Sequence, residues 1–171
     1  NFRQMEAIRL GFSKYKLSEE LVKLYAKPEF SAGQMWEIIE GLIDPRLSLE
    51  DVKLYADPKF EPRQMFKIIL GFRHGLNRRQ IELYARPEFS EEQMEQIMEG
   101  FRDGLSEEAV RLYAKPEFSP RQMVIIRWAL LTLPLELVKL VAKPEYSPDE
   151  MEQMIAKLKK SKSIDHSSLS V

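Results

Sequence analysis

Apolar residues recur along the chain with the spacing of an amphipathic helix. From Met65 they fall at Met65, Ile68, Ile69 and Phe72, which places them on one face of an α-helix. The same pattern starts at five other methionines, 28 to 30 residues apart: Met5, Met35, Met94, Met123 and Met151. We call these six residues the repeat methionines. Self-similarity at this period predicts a series of similar core-facing helices.

A short phrase precedes most of the repeat methionines. It is LYAKPEFSAGQM from Leu24, and it returns as LYADPKFEPRQM, LYARPEFSEEQM, LYAKPEFSPRQM and, more divergent, LVAKPEYSPDEM. Ser31 followed by Gln34 is a capping box, and Phe30 with Met35 forms a hydrophobic staple. Because proline disfavours helix at the residue before it, the phrase predicts the end of one helix, a fixed corner and the capped start of the next.

A second helical pattern lies between each repeat methionine and the following phrase. It opens with a serine or asparagine cap in LSLEDVKLYA, LNRRQIELYA and LSEEAVRLYA. Gly75 and Gly104 are placed to end the preceding helix in a left-handed conformation. Two helices per 30 residues predict an all-α fold, an α-solenoid of five to six tandem helical hairpins. We expect residues 1–160 to form a single helical-repeat domain and residues 161–171 a solvated C-terminal tail.

Glycine stands six residues after four of the repeat methionines, inside the first helix of each hairpin. At Gly41, Gly71 and Gly100 it costs about 1 kcal/mol relative to alanine, so we expect a neighbouring helix to approach closely there. The last repeat has Lys157 at this position, which is typical of a polar capping repeat. Asn1 aligns with the N-cap position, so we expect the chain to be part of a longer protein and its first helix to expose a face that is covered in later repeats.

Composition places the chain among ordinary globular proteins, with 44% hydrophobic residues, 31% charged residues and a net charge of −1. The absence of cysteine excludes disulfides and thiolate metal sites. Charge interrupts every long apolar stretch, so no membrane span is predicted. Since no signal-peptide pattern opens the sequence, we expect a cytoplasmic protein.

The sequence contains none of the common catalytic motifs. It contains no glycine-rich phosphate loop, no nucleophile elbow, and no cluster of histidine and carboxylates at metal-ligand spacing. His74 stands where the dipole favours a cation at the end of a helix. We therefore predict a protein that is not an enzyme and that needs no cofactor or metal.

The positions one and five residues after a repeat methionine differ from repeat to repeat and hold residues as unlike as tryptophan and glutamate. One interpretation is that their bulky residues fill gaps between successive first helices, because aromatic residues are mostly buried. The other is that they bind a partner, because aromatic residues dominate interaction hot spots. On this second interpretation the protein is a non-catalytic scaffold for a protein or peptide partner, bound along one face. The predicted partner-binding residues are Trp36, Phe66, Leu70, Val124 and Trp128.

A basic repeat offers an alternative, a helical array that binds nucleic acid. Its cations are Arg63, Lys67, Arg73, Arg78 and Arg79. The following repeat is acidic, however, whereas nucleic-acid binding favours a basic stripe along many repeats. The charge pattern therefore argues against this alternative.

The repeated phrase also resembles a known type of sequence. The pattern Tyr-Ala-x-Pro-Glu-Phe, then Gln-Met-x-x-Ile, then a small residue, resembles short two-helix repeats that occur in tandem in large uncharacterised proteins of bacterial mobile elements. Three sets of residues carry it: Tyr25–Phe30 with Gln34, Met35 and Ile38; Tyr84–Phe89 with Gln93, Met94 and Ile97; and Tyr113–Phe118 with Gln122, Met123 and Ile126. The resemblance extends over residues 1–158. It implies a helical-repeat fold and no catalytic or binding residue.

Overall fold

The computed structural model describes residues 1–167, with side chains to Ser161, and those residues form eleven helices and no β-strand. Six helices carry the repeat methionines: α1 (Phe2–Ser13), α3 (Ala32–Ile43), α5 (Pro62–Arg73), α7 (Glu91–Arg102), α9 (Pro120–Leu130) and α11 (Pro148–Ser167). Five shorter helices lie between them: α2 (Glu19–Tyr25), α4 (Leu49–Tyr55), α6 (Arg78–Glu82), α8 (Glu107–Tyr113) and α10 (Leu135–Val141). The predicted all-α fold class is confirmed.

The chain divides into two compact units, Asn1–Met94 and the part from Glu95 onward. In the first unit α3 packs against α1, α2, α4 and α5. In the second unit α9 packs against α8, α10 and α11. The single domain over residues 1–160 stays a prediction. So does the solvated tail: α11 continues to Ser167, and residues 168–171 lie outside the described residues.

The capped starts form as the sequence predicts. Ser31 Oγ accepts from the Gln34 amide at 3.2 Å, and Gln34 Oε1 accepts from the Ser31 amide at 2.7 Å. Ser119 and Gln122 repeat this box at 3.2 and 2.8 Å. The staple residues Phe30 and Met35 are both buried. Each corner therefore fixes the direction of the helix that follows it.

The capping glutamine has a second role that extends to the next repeat. Gln34 Nε2 donates to the carbonyls of Pro58 at 2.9 Å and Phe60 at 2.7 Å, in the following corner. The same pair of bonds links Gln64 to Pro87 and Phe89, and Gln122 to Pro144 and Tyr146. One side chain thus closes its own helix start and holds the next corner against it.

The glycines inside the first helices accommodate tyrosine side chains. A Cβ atom on Gly41 would overlap the hydroxyl of Tyr55. That hydroxyl donates to the carbonyl of Glu37 at 3.3 Å, four residues before the glycine. Gly71 with Tyr84 and Gly100 with Tyr113 repeat the arrangement. The predicted close approach is therefore made by a tyrosine that ends the following short helix or, for Tyr84, lies just beyond it.

The fifth repeat replaces both members of this glycine–tyrosine pair. Where the tyrosine becomes Val141, the glycine becomes Ala129, and both side chains are buried. A shorter side chain on one helix is thus matched by a larger one on the other, which keeps the volume of the contact filled.

Helix ends follow the predictions with two differences. Gly75 and Gly104 adopt φ values of +81° and +83°, as predicted for left-handed caps. α3 ends instead at Ile43 with Asp44 as its C-cap, and Asp44 Oδ1 accepts from the Arg46 amide at 3.0 Å. α6 ends at Glu82, before the tyrosine–alanine pair where the sequence predicted its end, because the Tyr84 amide bonds to Ile81 O, three residues back.

Candidate partner-binding surface

The five predicted partner-binding residues differ in their exposure. Trp36, Leu70 and Val124 are half-buried, Phe66 is 40% exposed and Trp128 is 58% exposed. Trp36 lies on α3, Phe66 and Leu70 on α5, all in the first unit, whereas Val124 and Trp128 lie on α9 in the second unit. Trp128 does not fill a gap between helices, because more than half of its surface meets solvent. The gap-filling interpretation suits Trp36 better.

Trp128 borders an apolar groove between α9 and α11. The groove measures about 380 Å³ and is lined by Val124, Ile125, Trp128, Ala129, Glu152, Ile155, Ala156 and Lys159. Ala156 stands five residues after Met151, the position that Trp128 occupies in α9. The small alanine side chain leaves the space beside the indole open. Glu152 and Lys159, one acidic and one basic, provide the charged part of the lining.

The Trp128 ring is backed by a fixed cation. The Arg127 guanidinium carbon lies 5.4 Å from the ring centroid, and Arg127 Nη1 pairs with the Asp103 carboxylate. The Arg127 side chain is only 11% exposed, so its position is set by packing as well as by this ion pair. A cation over one face of the indole leaves the remaining surface of the ring available to a partner.

A carboxylate cluster in the first unit holds the end of α3 to α5. Asp44 accepts from Arg46 Nε and Nη2, both at 2.9 Å, and from Arg73 Nε at 2.8 Å. Arg73 Nη2 also bonds Glu40 at 3.2 Å. The hydrogen bonds from Arg46 hold the pKa of the Asp44 carboxyl well below its usual range, and those from Arg73 act in the same direction.

Glu37 lies beside this cluster and behaves in the opposite way. Burial, with a smaller effect from the nearby Glu40 carboxylate, raises its pKa to about 7, against the lowering effect of Arg73. The carboxyl group is therefore partly protonated near neutral pH. The sequence analysis did not single out this residue.

Four of the five cations of the predicted basic patch lie close to carboxylates of their own unit. Glu91 lies 3.5 Å from Arg63 and 3.9 Å from the buried Lys67. Arg73 holds Asp44 and Glu40, as described above. Arg78 pairs with Glu82 at 2.9 Å and with Asp51 at 3.7 Å. Arg79 is exposed on α6. A phosphate backbone would have to compete with these carboxylates, which weakens the case for nucleic-acid binding.

The ion pairs between repeats were missed by the sequence analysis, although the sequence carries a signal for them. Asp44 and Asp103 each stand nine residues after a repeat methionine, and each pairs with an arginine of the next methionine-bearing helix, Arg73 or Arg127. At the same position the other repeats have Lys14, His74, Thr132 and Lys160. The acid thus has one position in the repeat, whereas its arginine partner stands eight residues after Met65 in one case and four residues after Met123 in the other.

Comparisons with known proteins give no match: no family model fits the chain, and searches of curated proteins and of solved structures found none. Within residues 1–161, whose side chains are described, no three histidine or carboxylate side chains are grouped to hold a metal ion. No helix of the described part of the chain is long and apolar enough to cross a membrane. The resemblance to repeats of mobile-element proteins stays a prediction.

Proposed function

We propose that the chain is an α-solenoid with a period near 30 residues, a non-catalytic scaffold that binds a protein or peptide partner along one face. The observation that carries the proposal is the exposed Trp128 beside an apolar groove, on a helix fixed by its cap and by an ion pair. The proposed partner-binding residues remain Trp36, Phe66, Leu70, Val124 and Trp128.

The repeated contacts within each unit support the solenoid part of the proposal. Gln34, Gln64 and Gln122 make the same pair of bonds to the next corner, and four repeats share the contact between a helix glycine and a tyrosine. Contacts that recur once per repeat are what a linear stack of identical modules requires. They also leave the variable positions free to differ from one repeat to the next without changing the packing of the backbone.

The chemistry of the groove favours a peptide segment with one large apolar side chain. A groove of about 380 Å³ is at the small end of ligand sites, and Val124, Ile125 and Ile155 give it an apolar lining. Tryptophan and arginine are the residue types most enriched in binding hot spots. A partner that inserts a leucine or an aromatic residue beside Trp128 would bury the indole face that is now exposed.

The proposal also includes a cytoplasmic location and kinship with two-helix repeats of bacterial mobile elements. The absence of cysteine supports the first, and the Tyr-Ala-x-Pro-Glu-Phe phrase supports the second.

A peptide library displayed on phage tests the function directly. Peptides selected on the whole chain would be measured by calorimetry against the wild type, Trp128→Ala and Leu140→Ala. Leu140 is the matched control, because it is 55% exposed in the same unit but lies on α10, away from the groove lining. We expect Trp128→Ala to weaken binding by about 2 kcal/mol and Leu140→Ala to leave it unchanged. Equal affinities for all three proteins would contradict the proposal.

A further inference from the structure

One face of α1 is exposed where the corresponding faces of later helices are covered. Phe2 is 79% exposed, Met5 70% and Phe12 45%, and Arg9 is also exposed. The five other repeat methionines are at most 1% exposed. The exposed residues lie three before, four after and seven after Met5, so they form one stripe along α1. We call Phe2, Met5, Arg9 and Phe12 the α1 outer face.

Ion pairs in the second unit identify what meets this face in other repeats. Arg127, four residues after Met123, pairs with Asp103 at the end of the preceding first helix. Glu152, one residue after Met151, lies 3.8 Å from Arg121 of the preceding first helix. The equivalent residues of α1 are Arg9 and Glu6, which together with Phe2 and Met5 line a shallow groove of about 240 Å³. The α1 outer face therefore corresponds to the face that a preceding repeat covers.

Arg9 carries specific information about the occupant. Four residues after the other repeat methionines stand Ile39, Ile69, Met98 and Ile155, all buried, and Arg127. Arginine occurs at this position only at residues 9 and 127. Arg127 is accommodated because it forms an ion pair with Asp103, which stands nine residues after Met94. An arginine covered at this position without an acid opposite would be costly, because a buried charge needs a partner.

We propose that the α1 outer face is a docking surface for a two-helix repeat of the type this chain contains, with an acidic residue nine positions after its repeat methionine. The apolar residues Phe2, Met5 and Phe12 would pack against the first helix of that repeat, and Arg9 would pair with its acid. This surface shares no residue with the proposed partner-binding surface, and it stands on the ion pairs and burial alone.

A second molecule of the same chain does not fit this requirement. α11 presents Lys160 nine residues after Met151, and its last described turns carry Lys157 and Lys159 as well. Docking α11 on the α1 outer face would place lysine opposite Arg9. The two acids that do stand at this position, Asp44 and Asp103, are already paired with Arg73 and Arg127 within the chain.

Joining a repeat to the N-terminus of the full chain tests the proposal. Residues 31–60, which bring a copy of Asp44, would be placed directly before Asn1, so that the join repeats the natural step from Phe60 to Glu61. A second fusion would use residues 90–118, which bring a copy of Asp103. Hydrogen peroxide is the probe, and oxidation of Met5 is followed by mass spectrometry. Met35, which is buried, reports that the protein stays folded, and the half-buried Met154 reports the reagent's activity.

We expect Met5 to be oxidised about ten times more slowly in both fusions than in the unextended chain. Arg9→Glu should remove most of that protection in the second fusion, and Asp103→Arg in the added repeat should restore it by reversing the ion pair. Oxidation of Met5 at the unextended rate in both fusions would overturn the proposal. Equal protection of Met5 in the fusion with and without the charge changes would also overturn it. Protection of Met5 in the unextended chain that rises with protein concentration would do the same, because it would identify a second molecule as the occupant.

Discussion

At the scale of single residues, the glycine–tyrosine pairs explain why glycine is tolerated inside four helices. In each of the four, the tyrosine hydroxyl occupies the space where a Cβ atom would lie. In three of them, with Tyr55, Tyr84 and Tyr113, it also donates to a carbonyl of the glycine's own helix. The hydrogen bond and the buried ring offset the roughly 1 kcal/mol that glycine costs in a helix. The sequence alone indicated a close approach at these positions. It did not indicate tyrosine, because the two residues of each pair are 13 or 14 residues apart in the sequence.

Replacing one member of a pair tests this account. Gly100→Ala should destabilise the protein by about 2 kcal/mol, because the new methyl group overlaps the Tyr113 hydroxyl and overpacking outweighs the gain in helix propensity. The double variant Gly100→Ala with Tyr113→Val should recover most of this loss, because it has the residue types of Ala129 and Val141 at the same two positions. Urea unfolding of the two single variants and the double variant measures the coupling. Strictly additive effects would show that the two residues do not share one contact.

Glu37 gives a prediction with a defined pH window. Its folded-state pKa of about 7 is above the unfolded value of about 4.3, so the folded state binds the proton more tightly. Its contribution to stability is therefore complete below about pH 4 and is lost as the pH rises through 7. Glu37→Gln removes this loss. We expect the variant to be more stable than the wild type by about 1 kcal/mol at pH 8, a discounted figure because the group is partly exposed, and the difference to shrink as the pH falls.

Denaturant unfolding at pH 5, 7 and 8 measures this effect. Glu40→Gln is the matched control, since Glu40 is exposed and has a direct ion pair with Arg73. Removing Glu40 should not give the same gain with rising pH. A Glu37→Gln variant whose stability follows the wild type at every pH would show that the carboxyl group is ordinarily solvated.

At the scale of secondary structure, the capped corners are the elements that the sequence predicts best. Their signals are local: a serine, a glutamine three residues later and a staple all lie within six residues. The Asp44 cap that follows α3 and the early end of α6 were not predicted, because they depend on local hydrogen bonds, from the Arg46 amide to Asp44 and from the Tyr84 amide to Ile81. The second role of the glutamines was also missed, since their acceptors lie 22 to 26 residues away in the next corner. The variable positions could be identified from sequence, but the exposure of each could not.

The two functions of the capping glutamine can be separated within α9. Ser119→Ala removes one cap hydrogen bond and should cost about 1 kcal/mol. Gln122→Ala removes the return bond of the box and both bonds to the carbonyls of Pro144 and Tyr146, and we expect it to cost about 3 kcal/mol. Thermal unfolding of the two variants gives the comparison. Equal losses would mean that the bonds to the next corner add nothing beyond the cap.

At the scale of the whole molecule, most repeats share the same contacts of the glutamine and the glycine and differ in the residues beside the apolar face. This division explains why glutamate and tryptophan can occupy equivalent positions, as Glu40 and Trp128 do. It also means that a residue's position in the repeat does not decide between a packing role and a binding role. Trp128 is more exposed than Trp36, and the stability of the two alanine variants can test whether their roles differ.

Alanine substitution of the two tryptophans should therefore give different results. Trp128→Ala should change the free energy of unfolding by less than about 1 kcal/mol. The side chain is 58% exposed, so most of its surface already contacts water in the folded protein and little buried contact is lost. Trp36→Ala should cost more, about 2 kcal/mol, because that side chain is half-buried. Trp128→Ala should also weaken binding of a peptide selected on the wild type for the groove beside it. If Trp128→Ala lowered the free energy of unfolding by about 3 kcal/mol or more, the indole would be part of the core. The groove beside it would then not be a binding site.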